Sequence, residues 1–260
     1  MRLPRRLLRP RTRLAIVGTP RCGNTWLRLL IADCCGIAEF AEHRVDDFAW
    51  HDLPDEFVLQ VHAHPRPELR ARLQRLGIRP IALARHPLDV LISILQYASP
   101  TTDSERWLDG EGGDETSLHD ASPTGESFAR YALGQRADAL LSLTPEWYAD
   151  PGCARVRYED LAADPQTTLS ALLGRRAASR RISEAVEHHT VGAVRAAVGA
   201  QHVWQGRPGL WRGLLPREVA SPIAAHHAGV LRALGYACEL DGTPSRPEAE
   251  ELWRRLNESR

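Results

Sequence analysis

The stretch from Leu14 to Cys35 constrains the fold more than any other part of the chain. Leu14-Ala15-Ile16-Val17 is a short apolar run, Gly18-Thr19-Pro20-Arg21-Cys22-Gly23 is a loop bounded by glycines, and Asn24 to Cys35 is an apolar helical stretch. A strand that passes through a glycine loop directly into a helix opens a βα unit, and such units build a parallel sheet covered by helices. The glycines let backbone N–H groups converge, and the helix N-terminus adds the positive end of its dipole, so the junction predicts a phosphate site. In a kinase or NTPase the second glycine is followed by Lys and then Ser/Thr, whereas here Asn24 and Thr25 follow. The chain contains no lysine, its basic residues all being arginine, so ATP hydrolysis is disfavoured.

The alternation continues downstream. Phe57 to Val61 reads as a second strand and Pro67 to Leu76 as a helix that Gly77 ends. Pro80 to Ala84 reads as a third strand, leading through Arg85-His86-Pro87 into a helix over Leu88 to Tyr97. Ser99 to Gly125 is acidic, polar and aperiodic, which predicts a surface loop or lid. An amphipathic helix is expected from Glu126 to Leu143, a strand at Ala154 to Arg157, a helix from Asp164-Pro165 to Gly174, and a last helix from Pro216 to Leu234. The sum is a single α/β domain over residues 14–240, with a mostly parallel central sheet flanked by helices, a basic N-terminal arm (1–13) and a C-terminal tail (241–260).

Composition excludes more than it selects. With a formal net charge of zero, bulk charge gives no reason to expect nucleic acid or an anionic membrane as partner. Five cysteines without CxxC spacing indicate neither a disulfide framework nor a zinc site and fit a reducing cytoplasm. The arm is arginine-rich like a signal n-region, but the apolar run after it ends at Val17, far short of an h-region or membrane span. It is expected to stay in the mature chain as a solvated arm. The arginine and alanine bias fits a GC-rich bacterial gene.

Arg21 lies inside the loop, where a guanidinium can sit beside a bound 5′-phosphate, and Trp26 in the first helical turn offers a flat face to a purine. Arg85 at a strand end and Ser93 about two turns into the next helix can reach one further anion. Pro20-Arg21-Cys22-Gly23-Asn24-Thr25-Trp26 resembles the Pro-Lys-Ser-Gly-Thr-Thr-Trp loop of the cytosolic-type sulfotransferases, with arginine for lysine, cysteine for serine and asparagine for threonine. Arg85, Asp89, Val90 and Ser93 match that family's 3′-phosphate motif. The resemblance implies a P-loop-NTPase-like sulfotransferase fold and 3′-phosphoadenosine 5′-phosphosulfate (PAPS) as co-substrate, with adenosine 3′,5′-bisphosphate (PAP) as product. Arg21, Cys22, Gly23, Asn24 and Thr25 would then hold the 5′-phosphosulfate, Arg21 also acting in catalysis by stabilising charge on the departing 5′-phosphate, Trp26 the adenine, and Arg85 and Ser93 the 3′-phosphate. Tyr158 in Tyr158-Glu159-Asp160-Leu161 resembles the tyrosine of the family's adenine pocket, and His189-Thr190 its His-Thr segment. Gly206 to Trp211 resembles the family's Arg-Lys-Gly-x-x-Gly-x-Trp segment with Trp204-Gln205 in place of Arg-Lys, which adds Gly206 and Arg207, the latter as a substitute charge.

A sulfuryl acceptor is a poor nucleophile until a base takes its proton, a task suited to histidine. His62 and His64 follow the strand Phe57 to Val61 and share one face of an extended segment. The family's base lies in a Lys-x-His segment that Gln60-Val61-His62 resembles, which implies His62, with His64 as the alternative. No third ligand joins these two, so no metal is expected, and surface or packing roles are the expectation for His226 and His227. The expected activity is sulfuryl transfer to a hydroxyl or amine of a small-molecule, carbohydrate or lipid acceptor. The alternatives are a non-catalytic PAPS/PAP-binding protein and a kinase-like phosphotransferase.

Overall fold

The computed structural model describes residues 11–42, 45–46, 48–98, 107–108, 110–199 and 202–258. Most of the expected basic arm and the first part of the acidic segment (99–106 and 109) lie outside the described residues. Five strands form one all-parallel sheet: β1 (Arg13–Val17), β2 (Ala38–Glu42), β3 (Phe57–Val61), β4 (Arg79–Ala84) and β5 (Ala154–Arg157), in the order β2-β3-β1-β4-β5. β1 takes the centre because Leu14 to Val17 are apolar on both faces, and all four are buried, as a parallel strand covered on two sides requires. β2 was not expected from the sequence. Ala38-Glu39-Phe40-Ala41-Glu42 has no apolar run because it is an edge strand, and its glutamates keep the open edge from pairing with another chain. Phe57–Val61, expected as the second strand, is therefore the third.

The helices are α1 (Asn24–Cys35), α2 (Pro67–Arg75), α3 (Pro87–Ala98), α4 (Glu126–Ala132), α5 (Gln135–Tyr148), α6 (Tyr158–Ala163), α7 (Pro165–Leu173), α8 (Ser179–His188), α9 (Val191–Val198), α10 (Trp211–Leu214), α11 (Arg217–His226), α12 (Ala228–Leu234) and α13 (Arg246–Glu258). Every residue of α3 is buried, so this helix is the internal pillar on which the site is built. α7 begins as expected, with the Asp164 carboxylate accepting from Thr167 N–H and Pro165 in the first turn.

Three expected boundaries differ. The helix expected over Glu126 to Leu143 divides at Gly134, where a Cβ would lie 3.1 Å from the Arg130 carbonyl oxygen, and its second half runs on through Pro145 to Tyr148. The helix expected over Pro216 to Leu234 divides at His227. The stretch 241–260, expected as a tail, carries α13, with Ala249 buried and Leu252, Trp253 and Leu256 packed on the core at helical spacing. The described part of the acidic segment is also less solvated than expected. Glu115 is fully buried, bonded by Arg136 at 2.7 Å and by the Tyr131 hydroxyl at 3.0 Å, and Leu118 beside it is core.

Leu59, in the middle of β3, has no exposed surface. Leu59→Ala is expected to lower the unfolding free energy by about 2–5 kcal/mol, read from the urea midpoint at unchanged slope.

Candidate nucleotide site

The parallel order makes strand connections depart to opposite sides of β1, since β3 flanks it on one edge and β4 on the other. The C-terminal ends of these three strands therefore open into one crevice, the usual ligand position in open α/β sheets. The loop 18–23 leaves β1, His62 follows β3, and Arg85 follows β4.

The loop is fastened before any ligand is considered. Thr19 N–H donates to Thr144 Oγ1 at 2.8 Å and its hydroxyl donates to the Leu140 carbonyl at 2.8 Å, which ties the loop to α5. Asn24 Nδ2 donates back to the Thr19 carbonyl at 2.9 Å, closing the turn from within. Gly23 has φ of 98° and a Cβ there would lie 2.6 Å from the Tyr158 ring, so both conformation and space require glycine. Arg21 is a non-glycine residue at φ of 68°, a strained conformation of the kind found at functional positions. Cys22 is buried under the loop, where burial pushes its thiol up to about 12, so it is an uncharged packing group whose side chain does not line the cavity.

A cavity of about 460 Å³ opens beside the loop. Of the residues expected at the site, Arg21, Gly23, Asn24, Thr25, Trp26, His62, Arg85, Ser93, Tyr158 and Gly206 all line it. Trp26 Nε1 donates to the His189 carbonyl at 2.7 Å and meets Tyr158 edge-on at 6.0 Å, which fixes the indole in the wall. Tyr158 OH donates to the Gly206 carbonyl at 2.7 Å. Arg85 lies 4.7 Å over the Tyr158 ring and donates to the carbonyls of Arg21 (3.2 Å) and Arg207 (3.3 Å), while its buried Nε has no hydrogen-bond partner. Arg21 Nε donates to Ser93 Oγ at 3.2 Å and its guanidinium lies 4.5 Å over the Tyr97 ring. Burial lowers the Arg21 pKa to about 10, with Arg85 contributing in the same direction, and the group stays charged at neutral pH.

Beside the loop, His62 is buried with Nδ1 2.8 Å from the Gly18 carbonyl and Nε2 3.2 Å from Gln60 Nε2. A carbonyl only accepts, so Nδ1 carries the proton and Nε2 holds the lone pair, to which the Gln60 amide donates. Gln60 Oε1 is 3.5 Å from the Thr25 hydroxyl, completing a chain from the first turn of α1 to the imidazole. His64 does not line the cavity and pairs instead with Glu146 at 2.8 Å.

Two further expected residues do not bring their side chains into the cavity. The Thr190 hydroxyl accepts from Ala193 N–H as the cap of α9, and Arg207 is exposed, reaching the site through its carbonyl. Two residues that the motifs contain without an assigned role, Gln60 and Asp89, shape the site, as do Tyr97 and Thr144, which no motif contains. Asp89 accepts from Gly209 N–H at 2.6 Å and Trp211 N–H at 2.9 Å, clamping the segment from Gly206 to Trp211 onto α3. A buried polar residue in an otherwise apolar strand or helix is the signal that marks Gln60 and Asp89. Among the described residues one group has metal-ligand spacing, Asp138, His226 and His227, none of which lines the cavity.

Asp89 supplies two charge-assisted hydrogen bonds, so Asp89→Ala is expected to destabilise the fold by about 3 kcal/mol or more, and Asp89→Asn, which keeps one acceptor, by about half as much. Urea unfolding of the two variants checks the ranking.

No protein-family model and no curated protein matches this sequence. Solved structures do. Mouse sulfotransferase SULT7A1 complexed with PAP has a TM-score of 0.64 at 13% identity, over 96% of this chain and 89% of that one. Retinol dehydratase in complex with retinol and PAP has a TM-score of 0.55 at 14% identity, over 89% and 84% of the two chains. Retinol dehydratase with androsterone and the inactive cofactor PAP has a TM-score of 0.54 at 13% identity, over 86% and 82%.

Proposed function

We propose that this chain, which has the fold of a sulfotransferase solved with PAP, transfers a sulfuryl group from PAPS to a hydroxyl or amine of a small acceptor. The observation that carries the reading is the convergence of three separate sequence motifs, the phosphate loop, Arg85 with Ser93, and His62, on one cavity of about 460 Å³. The unpartnered, buried Arg85 Nε is the donor that a bound phosphate would satisfy.

In this reading Trp26 and Tyr158 flank the adenine, Arg85 and Ser93 hold the 3′-phosphate, and the loop N–H groups with the N-terminus of α1 and Thr25 hold the 5′-phosphosulfate. The acceptor oxygen attacks sulfur, the bond from sulfur to the bridging phosphate oxygen breaks, and that electron pair leaves with PAP. The acceptor proton passes to His62 Nε2, which must first release the Gln60 amide, and the resulting imidazolium keeps its Nδ1–H on the Gly18 carbonyl. Charge growing on the departing phosphate meets the fixed N–H dipoles of the loop, so the catalytic gain is positioning and electrostatics. The step itself needs neither a covalent enzyme intermediate nor a metal.

Among the described residues no helix is long and apolar enough to cross a membrane. The acceptor class is a small molecule or the reactive end of a carbohydrate or lipid, and the free cysteines favour a reducing cytoplasm as the place of action. A second reading is a PAPS- or PAP-binding protein without transfer, favoured by the Gln60 amide on the lone pair of His62.

The two readings part on turnover. With PAPS and a pool of hydroxyl and amine acceptors, PAP release followed by chromatography is expected for the wild type, and His62→Ala is expected to lose on the order of 10²–10⁴ in rate while still binding PAP. Binding without release supports the second reading; near-normal release by His62→Ala moves the base to the His64–Glu146 pair.

A further inference from the structure

We infer that Arg21, the residue that departs from lysine in the phosphate loop, is a specificity determinant for the second phosphate: with Arg85 and Ser93 it selects a nucleotide bearing a 3′-phosphate as well as a 5′ group. This rests on the reading above that the cavity takes PAPS or PAP.

Arg21 stands in the left-handed region at φ of 68°, and its side chain meets α3 rather than staying within the loop that carries it. Its Nε donates to Ser93 Oγ at 3.2 Å, and its guanidinium carbon lies 4.5 Å over the ring of Tyr97, one turn beyond Ser93 on the same helix. Tyr97 is in turn stacked on Trp107 at 5.3 Å, so the ring under the guanidinium is itself held in place. Arg85 comes to the same place from β4, donating to the Arg21 carbonyl at 3.2 Å. Arg21 thus meets Ser93, the residue that marks the 3′-phosphate position in the sequence motif, and Arg85 is bonded to the backbone of Arg21.

Charge balance points the same way. Asp89, which lines the cavity, and Glu159, next to Tyr158, are already engaged: Asp89 accepts from the N–H groups of Gly209 and Trp211, and Glu159 from His86 N–H and the Tyr236 hydroxyl. No carboxylate among the described residues pairs with Arg85, which donates only to carbonyls. Two neighbouring guanidiniums repel each other, and a phosphomonoester dianion beside them offsets that repulsion. A lysine at position 21 would bring a point charge without the planar fork and without the N–H that meets Ser93.

The test compares PAP with adenosine 5′-phosphate, which differ only in the 3′-phosphate, by calorimetry on wild type, Arg21→Ala and Arg21→Lys, with circular dichroism to show that each variant is folded. The expected result is a wild type that prefers PAP, an Arg21→Ala variant that loses at least about tenfold in PAP affinity with adenosine 5′-phosphate little changed, and an intermediate Arg21→Lys. Equal losses for both nucleotides in the two variants would place Arg21 at the 5′ end and overturn the inference while leaving the PAPS reading intact, and no loss for either would overturn it as well. A wild type that does not distinguish the two nucleotides would instead remove the PAPS reading on which the inference stands. Should Arg21→Ala not fold, Arg21→Lys alone decides, because a selective loss of PAP supports the inference and an equal loss contradicts it.

Discussion

The parallel pairing of β1 between β3 and β4 is the constraint on which everything else depends. It brings the C-terminal ends of three strands to one edge of the sheet, and each end delivers one part of the proposed site: the loop 18–23, His62 and Arg85. Sequence separation has no bearing on this, since the three lie far apart along the chain but adjacent in the sheet. The pairing is held by burial rather than by the site, because the central residues of all three strands are fully enclosed on both faces of the sheet. The chemistry is thereby mounted on the most stable element of the fold.

The second layer of the design is polar and holds the site in shape. Thr144 on α5 holds Thr19, Asn24 closes the loop on itself, Asp89 clamps the segment after Gly206, and the Gly18 carbonyl fixes the proton on His62 Nδ1. Each of these hydrogen bonds is made within the protein to the backbone or to a neighbouring hydroxyl, so the loop is set before a ligand arrives and little reorganisation remains for binding. The charge in the wall is carried by Arg21 and Arg85. Both lie against tyrosine rings, Tyr97 and Tyr158, which hold planar cations in fixed orientations without neutralising them.

Much of this was legible in the sequence, and the reasons differ between elements. The apolar runs of β1, β3 and β4 announced themselves because parallel strands in the middle of a sheet are hydrophobic on both faces, whereas β5, an edge strand of sequence Ala-Arg-Val-Arg, was expected without such a run. β2 did not, because an edge strand with Glu39 and Glu42 has no such run, and α13 was missed although Ala249, Leu252, Trp253 and Leu256 carry a clear helical period. The backbone-defined parts of the site, Gly23 above all, could be read from spacing because only glycine fits there. Residues acting across the fold could not: nothing local ties Thr144 to Thr19 or Arg21 to Ser93, and these contacts exist only once the chain is folded. Thr190 shows the converse, a residue picked out by a local motif whose hydroxyl serves as a helix cap.

The central claim is that the crevice at the end of β1 is a site for a nucleotide carrying phosphates at both 3′ and 5′ positions. The most direct measurement is isothermal calorimetry of PAP against ATP with magnesium, on the wild type and on Arg85→Ala. The account predicts that PAP binds the wild type, that ATP binds far more weakly, and that Arg85→Ala loses about 2–3 kcal/mol of PAP affinity as the charged donors to the 3′-phosphate disappear. Preference for ATP with magnesium, or PAP binding that is indifferent to Arg85, would contradict it.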